Sequence, residues 1–111
     1  MNAEQYAIET TKREIDDAYI DLRRMLQVGQ RENAVKQALG LARSDAAKLW
    51  NFLKAYISTD LSYRDTSQLL AVNALYNNWV QDQNDIFIAQ AVLTLMNATK
   101  SRSESVLKFL P

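Results

Sequence analysis

The chain has no cysteine and no histidine. Without cysteine there are no disulfides, no thiolate metal sites and no thiol nucleophile. Without histidine, the commonest general base and metal ligand near neutral pH is missing. Two glycines and a single proline, the final residue, occur in 111 residues. That leaves too little turn chemistry for a many-stranded β-protein and no glycine-rich phosphate loop. Charge of one sign is also lacking in excess, with thirteen Lys and Arg against thirteen Asp and Glu. Overall charge therefore gives no ground for a nucleic-acid or anionic-membrane footprint. Long apolar runs are missing too: the most apolar stretch is shorter than the roughly 20 residues that span a bilayer, and Gln90 interrupts it.

What is present is helix-forming. Ala, Leu, Gln, Lys, Arg, Asp and Asn dominate, and apolar residues recur at three- and four-residue spacing. The expected fold is all-α: one domain over residues 1–111, a bundle of four long helices plus a short C-terminal one, with the charge-poor fourth helix central. Helix one is expected over residues 3–27, its seam carried by Ile8, Ile15 and Leu22, and Gly29 marks its end. Helix two is expected over residues 31–57, either continuous or divided where Ser44 and Asp45 resemble an N-cap. Helix three is expected over residues 63–81, with Leu69, Val72, Tyr76, Trp79 and Val80 as its apolar stripe. Asp82 to Asp85 reads as the turn into helix four at 85–99, although one unbroken helix over 63–99 is an alternative. Ser101 and Glu104 have capping-box spacing and would start the short last helix.

Helix four sets the functional expectation. Ile86, Phe87, Ile88, Val92, Leu93, Leu95 and Met96 fall on nearly every side of its wheel, and such a helix must be covered all round. The cover comes from other helices, a second copy or a partner. Between Thr66 and Thr99 only Asp82 and Asp85 are charged. Two successive helices with so little charge suggest that both are largely covered. The expected function is accordingly a non-enzymatic, cytoplasmic protein-interaction module, adaptor or chaperone-like, self-associating through helices three and four. The polar amino-terminal stretch lacks the apolar core of a signal peptide, in keeping with a cytoplasmic protein. Its interface candidates are the uncharged stripe Asn73, Asn77, Gln81 and Asn84, and the apolar carboxyl-terminal residues Val106, Leu107, Phe109 and Leu110. No cofactor, metal or membrane partner is expected.

Two further patterns carry other chemistry. Glu14, Asp17 and Asp21 recur on one face of helix one, a row able to meet a hard cation. The simpler reading is a solvated face in which Asp17 pairs with Arg13 and Asp21 with Arg24. Residues 37–51 resemble the turn of helix-turn-helix DNA-binding domains. Leu39, Gly40 and Leu41 would form the turn, Ser44 would cap the second helix, and Leu49 would pack it. The resemblance implies a DNA-binding regulator presenting Arg43, Lys48 and Asn51 to the major groove. The sequence departs from that pattern at Lys36, where a small residue is usual, and at Ala46, where a branched one is. Nucleic acid is thus the alternative partner, behind a protein partner or a second copy.

Overall fold

A computed structural model describes the backbone of residues 2–61 and 67–107 and the side chains of residues 2–61 and 67–100. Among these residues there are four helices and no strand: α1 (Ala3–Val28), α2 (Arg31–Thr59), α3 (Ser67–Asp82) and α4 (Ile86–Leu107). The protein is an all-α helical bundle. α4 packs on each of the other three helices, α2 packs on α1, α3 and α4, and α1 and α3 flank this middle pair without meeting.

The element ends follow from local chemistry. The Asn2 carboxamide accepts from the Gln5 backbone N–H at 2.8 Å and opens α1. Gly29 closes it in the left-handed region at φ 77°, which glycine adopts without a Cβ penalty. The Gln30 N–H then reaches the Met25 carbonyl at 2.9 Å, the closing bond of a Schellman motif. α2 is divided as the Ser44–Asp45 pattern suggests. Asp45 has extended dihedrals inside the helix (φ −159°, ψ 94°), and its carboxylate accepts from the Lys48 N–H at 3.1 Å. Asp45 thus caps the second half of α2. α3 and α4 are separate. Gln83 takes a positive φ of 53°, its side-chain amide donates to the carbonyls of Trp79 and Val80, and the Asn84 side chain accepts from the Ile86 N–H.

Two expectations are corrected. The short helix beginning at Ser101 does not form as a separate element, because α4 runs unbroken to Leu107. Three-residue Ser/Glu spacing caps a helix only where the chain has already left helical geometry, and nothing at 99–101 makes it leave. The Thr99 hydroxyl stays inside the helix, donating to the Leu95 carbonyl at 2.9 Å. The turn read at Leu39, Gly40 and Leu41 is helical throughout, and the break falls at Asp45 instead.

The core joins the second half of α1 (Tyr19, Leu22, Leu26), both halves of α2 (Ala34, Ala38, Leu49, Trp50, Leu53, Tyr56) and α4 (Ile88, Ala91, Val92, Leu95, Met96). α3 contributes a single buried residue, Val72, with Tyr76 and Trp79 laid edge-on and tilted against Trp50 at ring separations of 5.4 and 6.1 Å. The heptad seam of α1 is used only in part. Leu22 is buried and Ile15 half-buried, whereas Ile8 is exposed and no described residue before Tyr19 is buried.

Candidate functional site

α4 receives its cover from its own chain. Val92 and Met96 lie buried under the other helices, and among the described side chains the helix exposes Gln90, Asn97, Lys100 and its first residue, Ile86, which is 52% exposed. One polar tie fixes it to α2. The Thr99 hydroxyl donates to Leu95, so the 2.9 Å contact between Tyr56 and Thr99 is made with the Tyr56 hydroxyl donating.

α3 is different. Its packed arc is Leu69, Val72, Leu75, Tyr76 and Trp79. At 100° per residue, Leu70, Ala74, Asn77 and Gln81 fall together on the opposite arc, and all four are exposed. Leu70 is 65% exposed, and Ala71 and Asn78 flank the arc. No charged side chain lies on α3 before its last residue, Asp82. Of the stripe singled out in the sequence, Asn77 and Gln81 lie at the centre of this face and Asn73 at its half-buried edge. Asn84 lies beyond the helix, where it caps α4. Val106 and Leu107 are on the last turn of α4 with their side chains outside the described residues, and Phe109 and Leu110 lie outside them altogether.

A second feature is a groove of about 460 Å³ between α1 and the second half of α2. Tyr19 and Phe52 form its floor, with rings 5.0 Å apart and tilted at 53°. The Lys48 ammonium stands 5.2 Å over the Tyr19 ring and the Arg23 guanidinium 5.9 Å over that of Phe52. Arg23 is anchored through Nε to the Asp60 carboxylate at 3.2 Å, which also accepts from Gln27. Besides the Tyr19 ring, the Lys48 ammonium meets the Asp16 carboxylate, at 3.8 Å. The Tyr19 hydroxyl is buried and finds no hydrogen-bond partner among the described residues. Burial, and secondarily the negative charge of Asp45, push its pKa up to about 12.

This groove contains two of the three residues put forward for DNA. Lys48 and Asn51 line it, facing α1, while Arg43 is exposed on the other side of the Asp45 break. Lys48 and Asn51 thus share the groove, and Arg43 does not line it. The sequence reading missed Asp16, Tyr19, Ile20, Arg23, Phe52 and Ala55 as groove residues. Only the pairing of α1 with α2 brings positions 16–23 to positions 48–55, and no local spacing encodes that. The acids Glu14, Asp17 and Asp21 are exposed, and the pairs with Arg13 and Arg24 do not form. Among the described residues no group of three His, Cys, Asp or Glu side chains is placed to hold a metal ion, and no helix is long and apolar enough to cross a membrane.

The chain matches no protein-family model, no curated protein and no solved structure.

Proposed function

We propose that the protein is a non-enzymatic protein-interaction module, adaptor or chaperone-like, that self-associates through the outer face of α3, with Ile86 at the start of α4 on its margin. The observation that carries this reading is the exposed, charge-free arc of Leu70, Ala74, Asn77 and Gln81. Solvated helix faces ordinarily carry Lys, Glu, Arg or Asp, and this one carries none over four turns. A charge-free face suits a two-fold pairing, in which each surface meets its own copy and every like charge would oppose another. Antiparallel pairing about the midpoint of Ala74 and Asn77 sets Leu70 against Gln81 of the second copy, and the small Ala74 lets the helices approach closely. The two Asn77 side chains lie on either side of the axis, about one helical turn apart, and each amide offers the other both a donor and an acceptor. A single helix face offers less than the roughly 800 Å² per partner of a standard interface, so the association is weak and concentration-dependent. Lack of histidine and cysteine supports the non-enzymatic part, and lack of cysteine a cytoplasmic setting.

Sedimentation velocity over a range of concentrations tests the proposal. The wild-type protein is expected to shift from monomer to dimer as concentration rises. Asn77→Glu places one carboxylate from each copy close beside the axis, where the two repel, and is expected to remain monomeric with unchanged helicity by circular dichroism. A wild-type protein that stays monomeric throughout, or a variant that dimerises equally well, overturns the proposal.

A further inference from the structure

The α1–α2 groove has the attributes of a small-molecule site that the α3 face does not use, and the two share no residue. Its volume, about 460 Å³, lies within the range of roughly 300–1,000 Å³ typical of ligand pockets. Its lining is mostly apolar: Tyr19, Phe52, Ala55 and Ile20, with Ile20 left 63% exposed. An exposed isoleucine beside two aromatic rings is apolar surface that a bound body would remove from water. Ala55 contributes only a methyl group, which keeps the groove open on that side.

The charges at the mouth select the ligand's sign. Lys48 and Arg23 are both about half exposed, and each already lies over an aromatic ring. A cationic ligand would have to displace them from those rings and would meet their repulsion. An anion meets two donors held in place. Arg23 is held through Nε by Asp60 at 3.2 Å, and its planar guanidinium is suited to bidentate recognition of a carboxylate. The ion pair of Lys48 is with Asp16, a side chain 71% exposed, at 3.8 Å. A pair so open to water contributes about 0–1 kcal/mol, so an incoming anion readily takes Asp16's place. Asn51 adds a neutral donor and acceptor at the same rim.

We infer that this groove binds a small amphipathic carboxylate, its flat apolar body on Tyr19, Phe52 and Ile20 and its carboxylate between Lys48 and Arg23. In the free protein Asp16 acts as the internal stand-in for the ligand's carboxylate on Lys48. Asp16 is therefore a competitor, and its removal strengthens binding, whereas a residue that merely braced the groove would weaken binding on removal.

The test is titration of the full chain with 2-naphthoate by calorimetry, together with amide chemical shifts to locate the site. Saturable binding is expected, with the largest shifts in residues 16–23 and 48–55. The neutral isostere 2-naphthamide is expected to bind at least tenfold more weakly. Lys48→Met should lower naphthoate affinity about tenfold at unchanged thermal midpoint, and Asp16→Asn should raise it severalfold. Failure of naphthoate to saturate, equal affinity for the amide, or weaker binding by Asp16→Asn would each overturn the inference.

Discussion

α3 and the first part of α4, residues 86–99, are alike in low charge and opposite in surroundings. α3 carries no charged residue before Asp82 and α4 none before Lys100, and both helices pack on α2. Residues 86–99 of α4 are free of charge because three helices of their own chain cover them. α3 buries Val72, half-buries its aromatic side and leaves an equally charge-poor face in water. Low charge in a helix thus has two separate origins, cover already supplied by the chain and a face left for another surface. The wheel distinguishes them. On α4 the polar residues Gln90 and Asn97 form a thin strip, whereas on α3 Asn77, Asn78 and Gln81 spread across a broad exposed sector with the half-buried Asn73 at its edge.

The largest expected contrast comes from truncating one leucine on each helix. Leu95→Ala removes a fully buried side chain from α4 and should cost about 2–5 kcal/mol in urea unfolding. Leu70→Ala on α3 should change the stability of the monomer by less than about 0.5 kcal/mol. Comparable losses at the two positions would break the distinction between the helices.

Tyr56→Phe should cost about 1 kcal/mol, because it removes the tie from α2 to Thr99 while leaving Thr99 bonded to Leu95. A matching Asn77→Ala on α3 should leave unfolding unchanged at concentrations where the protein is monomeric. A cost at Asn77 in the monomer would mean that this amide has a partner within its own chain.

On the α1–α2 side, Tyr19→Phe deletes a buried hydroxyl that has no partner among the described residues, and should stabilise the protein by about 1 kcal/mol near neutral pH. It also carries a pH signature. The folded state holds the Tyr19 proton more tightly than the unfolded chain, with the pKa raised from 10.0 to about 12. The contribution is fully present below pH 10 and is lost as pH rises through about 12. The stability gap between Tyr19→Phe and wild type should therefore widen across that interval. A gap independent of pH would contradict the burial assigned to this hydroxyl.

The smallest effect on folding is expected from Asn78→Lys on α3 and Gln90→Lys on α4. Both positions are exposed, so each should change unfolding by less than about 0.5 kcal/mol. Only Asn78→Lys should weaken association, since it alone charges the proposed pairing face. Equal weakening by Gln90→Lys would move that face onto α4.

Much of the fold is legible in the sequence because its signals are local. Gly29 ends α1, Asp45 caps the second half of α2, and the polar run at 82–85 separates α3 from α4. The continuation of α4 past Ser101 is not legible, because Ser-x-x-Glu looks the same inside a helix as at its start. The positive φ at Gln83 was hidden for a similar reason: no glycine marks it, and the strain is offset by side-chain bonds to Trp79 and Val80. Of the candidate surfaces, the amide stripe could be read from four-residue spacing. The groove could not, since Lys48 and Asn51 acquire their setting only when α1 lies alongside. Their spacing alone fitted a DNA-facing helix equally well.

Hydrogen exchange at two protein concentrations measures the difference between α3 and α4 most directly. Amides in α4 should exchange at the same slow rates in dilute and concentrated samples, because their cover travels with the chain. Amides in α3 should gain protection only in the concentrated sample, where a second copy lies against Ala74 and Asn77. Protection of α4 that rises with concentration, or α3 rates that ignore it, would contradict the account.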